Sequence, residues 1–143
     1  MEIKTFIRPC YGEYDEMVYE VLNAHPEWYD IPDIKDFLHT QMYIVIDSEG
    51  NLLGFFGNSY WWHGECVLSC VYVYEQYRRQ GIFKKMVKYT KNHNTDQTII
   101  TIGAMDGNKE AKKIYDHMFK YLHHNQDGYW YAICDRRKNR RSL

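Results

Sequence analysis

The hydrophobic pattern of this 143-residue chain changes its period sharply around Gly81. Residues 66–74 form the longest strand-like run, whereas apolar side chains from Ile82 to about residue 93 recur three and four positions apart, as on one face of a helix. A short turn that contains Gly81 separates the two patterns. A strand followed at once by an amphipathic helix predicts a fold of the α/β (α+β) class.

The same criteria divide the rest of the chain without a linker, a low-complexity tract or an internal repeat. Helical spacing predicts helices over about residues 12–24, 32–38, 80–93 and 108–119. Strand-like runs predict strands over residues 2–8, 42–47, 52–60, 66–74 and 98–102, and a hairpin over 121–133. The predicted order of elements is β-α-α-β-β-β-α-β-α-β-β.

Length and composition narrow the class of protein. A chain of this length predicts one domain, and 45% hydrophobic residues are enough for a core, which excludes intrinsic disorder and a disulfide scaffold. No run of about 18 apolar residues is present, so we expect no membrane contact through a spanning helix. Residues 1–8 lack the apolar segment of a secretion signal, which predicts a cytoplasmic protein.

The four cysteines predict neither disulfides nor a metal site. About 13 Å of extended chain separates Cys66 from Cys70, which is too far for one bond or one shared metal ion. His123 and His124 are adjacent and point to opposite faces of an extended chain, so they make a poor pair of metal ligands. We therefore expect no metal, and buried free thiols at Cys66 and Cys70.

Charge is distributed unevenly along the chain. Residues 136–143 hold five of the 18 basic side chains and no acidic one, whereas residues 1–135 hold 13 basic and 19 acidic side chains, a net charge of −6. We expect a single domain over 1–135 followed by a solvated basic tail over 136–143. An acidic body attracts cationic partners and repels nucleic acid, which leaves the tail as the only segment suited to nucleic acid. The oligomeric state stays open.

The turn around Gly81 has the composition of an anion-binding site. The first N–H groups of a helix have no partner within the helix, and the helix dipole is positive there. Gly81 lets an anion approach the main chain. Positive charge around the turn comes from Arg78, Arg79, Lys84 and Lys85. The alternative is an ordinary helix start without a ligand.

Two motifs resemble those of the GCN5-related N-acetyltransferase (GNAT) superfamily. Residues 78–83, Arg-Arg-Gln-Gly-Ile-Phe, are similar to its Q/R-x-x-G-x-G/A signature, with Phe83 where a small residue is usual. Residues 108–115 are similar to its N-x-x-A-x-x-x-Y segment. The resemblance covers nearly the whole chain and implies a mixed, mostly antiparallel central sheet flanked by helices.

The resemblance also implies a cosubstrate, acetyl-CoA, and residues that bind it. In this superfamily the strand before the signature splays from its neighbour, and the Val71 amide would polarise the acetyl carbonyl. Tyr115 would act as general acid toward the thioester sulfur, although a plain core tyrosine is the alternative. Asn108 would face the pantetheine arm, and a helix cap is its alternative role. The residues implied to bind acetyl-CoA are Val71, Val73, Arg78, Arg79, Gln80, Gly81, Ile82, Phe83, Lys84 and Asn108.

The general base and the acceptor site are less constrained. Some members of the superfamily use a glutamate at the position of Val67, and Glu65, two residues earlier on the same strand face, is our candidate base, directly or through water. A surface carboxylate is the alternative. Trp28, Tyr60 and Trp62 are candidate walls of a pocket for a cationic amine, and core packing is their alternative role.

These observations lead to two hypotheses of function. The first is an acetyl-CoA-dependent N-acetyltransferase in which a primary amine, of a small molecule or a protein, attacks directly in a ternary complex. The second is a non-catalytic binding module of the same fold whose basic tail contacts nucleic acid or an acidic partner.

Overall fold

The computed structural model describes residues 1–6, 14–25, 40–60 and 64–137. The helices in this part of the chain are α1 (Asp15–Ala24), α2 (Ile82–His93) and α3 (Lys109–Met118), and a 3₁₀ turn at Glu75–Tyr77 precedes α2. The strands are β1 (Glu2–Phe6), β2 (Thr40–Ile46), β3 (Leu52–Ser59), β4 (Glu65–Val73), β5 (Ile99–Ala104), β6 (Lys120–Asn125) and β7 (Gly128–Asp135). The order matches the prediction, except that the predicted helix over 32–38 lies outside the described residues and the 3₁₀ turn was not predicted.

The strands form one sheet in the order β1-β2-β3-β4-β5-β7-β6. Strands β4 and β5 are parallel, and every other neighbouring pair is antiparallel. Two parallel neighbours need a crossover connection, and α2 provides it. The mixed, mostly antiparallel sheet implied by the resemblance is therefore confirmed.

Two hydrophobic clusters cover the two faces of the sheet. On one face, Val18 and Leu22 of α1 pack against Met42 and Phe55. The other face, where Phe56 is fully buried, packs against α2 and α3, with the buried side chains Ile82, Met86 and Tyr115. Strand β3 is buried along its whole length because it lies between these two layers. None of the helices in the described ranges is long and apolar enough to cross a membrane.

A bulge interrupts β4 in the middle of the sheet. Ser69 pairs with Gly57 and Tyr72 pairs with Phe55, so β4 has one residue more than β3 between these pairs. Cys70 takes a left-handed conformation with φ of 51°. The extra residue reverses the alternation of faces. Leu68 and Val71 consequently pack on the α2–α3 side, whereas Cys70 and Tyr72 pack on the α1 side.

Strands β4 and β5 separate at the same level of the sheet. Their pairing begins with Glu65 opposite Ile99 and ends with Leu68 opposite Ile102. Both strands continue beyond this point, to Val73 and Ala104, without pairing to each other. The splay that the resemblance implied is therefore present.

Cys66 and Cys70 are buried thiols, as predicted. Burial raises the pKa of the Cys66 thiol to about 12, so this sulfur stays protonated at neutral pH. Cys10 lies outside the described residues.

The start of the basic tail differs from the expectation. The guanidinium of Arg136 donates hydrogen bonds to the carbonyl oxygens of Asn94 (3.2 Å) and Gln97 (2.6 Å). Arg137 is bonded to the Asp135 carboxylate (3.1 Å), which lowers the pKa of Asp135 to about 2. The expectation of a solvated segment from residue 136 onward was therefore wrong for Arg136, because β7 runs to Asp135 beside β5 and brings this side chain to the loop after α2. Arg137 is exposed, as expected. Residues 138–143 lie outside the described ranges.

Candidate active site

A cavity of about 690 Å³ opens where β4 and β5 separate. Its lining comes from β4, from the turn and first residues of α2, from the end of β5 and from α3. Because of the bulge, Cys70 and Tyr72 line it from the α1 side, whereas Val71 and Val73 line it from the α2–α3 side. The cavity is thus lined by residues that pack on opposite faces of the sheet.

The turn before α2 has a main chain shaped to bind an anion. Arg79 and Gly81 both take left-handed conformations, with φ of 67° and 78°. A Cβ atom at Gly81 would have no heavy atom within 4 Å, so nothing in the described residues blocks the approach to this main chain. The first hydrogen bond of the helix runs from the Lys85 amide to the Gly81 carbonyl (3.1 Å), which leaves the preceding amides without partners inside α2. Alternating right- and left-handed residues turn successive N–H groups toward one point.

Positive charge surrounds this turn. Four cationic side chains, Arg78, Arg79, Lys84 and Lys113, line the cavity, and Glu110 is the one acidic residue among the described lining residues. Such a surplus suits a ligand that carries several phosphate charges. Gln80 is exposed and does not line the cavity, so of the residues implied at this turn its side chain is the one that is not brought to the site.

The Arg78 side chain also packs against the end of β4. Its Nε donates a hydrogen bond to the Val73 carbonyl oxygen (2.8 Å), and its guanidinium carbon lies 5.6 Å from the centre of the Tyr72 ring. A carbonyl oxygen has two lone pairs, so Val73 keeps one acceptor position for a ligand.

Tyr115 of α3 is both a core residue and a lining residue of the cavity. Its side chain is 8% exposed and its ring stacks on Phe83 at 5.8 Å, so it belongs to the core. It also lines the cavity, and within the described residues no group is hydrogen-bonded to its hydroxyl. Burial, and secondarily the neighbouring Tyr131, raises the pKa of Tyr115, so the phenol keeps its proton at neutral pH. A buried phenol that faces a cavity can donate this proton to a reacting group.

Asn108 is a helix cap that lies at the cavity. Its Oδ1 accepts a hydrogen bond from the Ala111 amide (3.2 Å), which caps α3, and the residue also lines the cavity. Capping explains why the helix begins here, and it holds the Asn108 side chain in a fixed position beside the opening.

The candidate base and acceptor residues are not brought to this cavity. Glu65 is the first residue of β4, three positions before Leu68, where the cavity begins, and these positions span about 10 Å of strand. Tyr60 donates a hydrogen bond to Asn94 Oδ1 (2.5 Å) at the end of α2 and does not line the cavity. Trp28 and Trp62 lie outside the described residues.

The sequence pattern gave no signal for other lining residues. Ser69 and Cys70 lie at the bulge, which regular alternation along β4 does not predict. Ile114 and Met118 of α3 line the cavity although they are 42% and 38% exposed. Exposed apolar side chains at the mouth of a cavity are suited to contact with a ligand.

Known proteins share the family and the fold of this chain. The profile of the acetyltransferase (GNAT) family matches residues 3–121, and no curated protein sequence matches the chain. An acetyltransferase of the GNAT family from Staphylococcus aureus Mu50 is 17% identical, with a TM-score of 0.65 over 93% of this chain and 99% of that one.

Two further solved structures have named substrates or ligands. An aminoglycoside 6'-N-acetyltransferase complexed with coenzyme A is 15% identical, with a TM-score of 0.67 over 95% of this chain and 99% of that one. The spermidine N-acetyltransferase of Vibrio cholerae, in complex with CoA and spermine, is 13% identical, with a TM-score of 0.55 over 92% and 91%. At these identities the solved structures show a common fold.

Proposed function

Because the chain belongs to the acetyltransferase (GNAT) family, we propose that it transfers an acetyl group from acetyl-CoA to a primary amine. The observation that carries the proposal is the separation of β4 from β5 beside the cationic turn at Gly81. This combination offers a long ligand with a phosphate-rich end both an anion site and a path between two strands.

The residues of the cavity fit the parts of acetyl-CoA. The amides of residues 79–84 would bind the pyrophosphate, and the side chains of Arg79 and Lys84 would balance its charge. Gln80 would contribute through its main-chain amide alone. The main chain of Val71 and Val73 and the side chain of Asn108 would contact the pantetheine arm, which passes between the separated strands.

Two groups would then act on the reacting atoms. When bound, acetyl-CoA supplies an activated thioester. The Val71 amide would donate a hydrogen bond to the acetyl oxygen, where negative charge develops during attack. The Tyr115 hydroxyl, kept protonated by burial, would donate its proton to the departing sulfur. Lining residues from both sides of the sheet support direct attack with both reactants bound. Glu65 would act as base only through a chain of water molecules, since about 10 Å of strand separates it from the cavity.

We propose a cationic amine, of a small molecule or a protein, as the acceptor. The acidic body of the protein, with a net charge of −6 over residues 1–135, attracts such molecules. Tyr72 lines the cavity on the α1 side, where Tyr74 lies 5.1 Å from it, ring to ring. The solved relatives that act on spermidine and on aminoglycosides use polycationic amines.

Two measurements test this function together. Acetyl-CoA at 100 times its Kd should stabilise the protein by about 2.7 kcal/mol, seen as a rise in melting temperature. Release of coenzyme A thiol should then depend on an added amine, with spermidine, an aminoglycoside and a lysine peptide as the first panel. No thermal shift would contradict acetyl-CoA binding. A shift without thiol release from any primary amine would contradict the transferase and favour the non-catalytic module.

A further inference from the structure

Three hydroxyl groups form a continuous hydrogen-bonded row across the centre of the sheet. Thr40 Oγ1 of β2 lies 2.7 Å from Ser59 Oγ of β3, which lies 2.7 Å from Ser69 Oγ of β4. The Gly57 carbonyl oxygen lies 3.4 Å from Ser69 Oγ and is a second possible acceptor for its hydrogen. Thr40 and Ser59 are buried, whereas Ser69 is partly exposed and lines the cavity.

The position of Ser69 follows from the bulge and from Gly57. Ser69 is the first residue of β4 beyond its last pair with β5, so it lies where the strands begin to separate. A Cβ atom at Gly57 would lie 2.7 Å from Thr40 Cγ2 and 3.2 Å from Ser69 Oγ. A glycine at this position is therefore required for the row of hydroxyls to close over it.

Counting hydrogens shows what Ser69 offers to a ligand. A serine hydroxyl has one hydrogen and two lone pairs. Two acceptors of the described sheet lie within reach of this hydrogen, the Gly57 carbonyl oxygen at 3.4 Å and Ser59 Oγ at 2.7 Å. When the hydrogen is given to Gly57, Ser69 accepts from Ser59 and keeps one lone pair. When it is given to Ser59, Ser69 keeps both. As long as its hydrogen is given to one of these two sheet groups, Ser69 presents acceptor positions to the cavity.

We propose that Ser69 Oγ accepts a hydrogen bond from an N–H of the attacking amine and so orients its nitrogen toward the acetyl group. This assignment rests on the proposed transferase function. An amine that gives one N–H to Ser69 keeps its lone pair for attack. Ser59 acts as a positioning residue, because it holds the Ser69 hydroxyl in the arrangement that accepts rather than donates.

The test compares three variants with the parent protein. Ser69→Ala removes the acceptor, and Ser59→Ala leaves Ser69 in place but removes its partner. Thr101→Val is the matched control, since it deletes a hydroxyl from neighbouring β5 that does not line the cavity. For each protein we would measure KM for the amine, KM for acetyl-CoA, kcat and melting temperature. Calorimetry would give the Kd of the amine on protein loaded with coenzyme A, which does not depend on turnover.

The expected result is a selective loss of amine binding. Ser69→Ala should raise both KM and Kd for the amine about tenfold, as for one hydrogen bond to a charged or strongly polar partner. Ser59→Ala should raise them about threefold, and Thr101→Val should leave them unchanged. The KM for acetyl-CoA should stay within twofold of the parent in all three.

Different failures can be distinguished. If the parent acetylates amines but Ser69→Ala keeps the parent KM and Kd for the amine, the assignment of Ser69 is wrong while the transferase function stands. A Ser59→Ala protein with a lower melting temperature and an unchanged amine Kd would show that the row of hydroxyls is purely structural. If the parent neither binds acetyl-CoA nor acetylates any amine, the function and the role of Ser69 are both overturned.

Discussion

Replacing Tyr115 by phenylalanine separates its role in packing from its role in chemistry. The substitution keeps the ring and its contacts with Phe83 and Tyr131, whose ring centres lie 5.8 and 5.9 Å away. Within the described residues the Tyr115 hydroxyl has no hydrogen bond to lose. The free energy of unfolding should therefore change by less than about 0.5 kcal/mol.

Turnover should respond much more strongly. General acids contribute about 10²-fold or more to rate, which corresponds to about 2.7 kcal/mol of transition-state stabilisation. The proton is needed mainly as the sulfur departs, so the affinity for acetyl-CoA should hardly change. The measurement is kcat at saturating acetyl-CoA and amine, with chemical denaturation to check stability.

Tyr131→Phe is the matched control. Tyr131 is fully buried and does not line the cavity, and its hydroxyl donates a hydrogen bond to Asp116 Oδ1 (2.6 Å). Its loss should lower the melting temperature by roughly 3 °C and leave kcat within about twofold. The reasoning is refuted if Tyr115→Phe keeps kcat within about twofold of the parent, because general-acid catalysis is worth far more than that.

Three further outcomes follow from the structure. Burial raises the pKa of Tyr115 above its usual value of 10, so its phenol should stay protonated and kcat should not fall between pH 7 and 10. A pH–rate profile in which kcat falls with an apparent pKa below 9 would contradict this. Gly81→Glu should abolish acetyl-CoA binding in calorimetry by bulk and charge, whereas Gly50→Glu, at a similar φ of 83° but away from the cavity, should not. Deleting residues 138–143 should leave turnover of small amines unchanged, whereas a deletion that also removes Arg136 loses two hydrogen bonds to the loop after α2 and should lower the melting temperature as well.

Several features of the fold could be predicted because they depend on local sequence. The helix faces of α2 and α3 follow from apolar side chains repeated at helical spacing, and the strands from apolar runs between turn residues. Gly81 could be recognised because a tight turn before a helix favours a residue without a side chain. Asn108 is a cap for an equally local reason, since its side chain bonds an amide three residues later.

The acceptor side of the site was the least predictable part. Tyr60 stands in an aromatic cluster that suggested a binding wall, yet its hydroxyl is bonded to Asn94, which is 34 positions away in sequence. Arg136 was expected in solvent for a similar reason, and it bonds carbonyl groups about 40 positions earlier. Contacts of this kind depend on which elements the sheet brings together, and no local pattern encodes them.

The class of fold and the turn at Gly81 can be predicted from the chain because they depend on side-chain period and on backbone preferences within a few residues. The point where β4 leaves β5, and the face that each later side chain of β4 occupies, depend instead on pairing between strands that are distant in sequence. One extra residue at the bulge places Ser69 and Cys70 on the α1 side, although strict alternation assigns them to opposite sides. Hydrogen bonds to β3 hold that bulge in place. The row of hydroxyls that ends at the cavity therefore forms only when β2, β3 and β4 have paired.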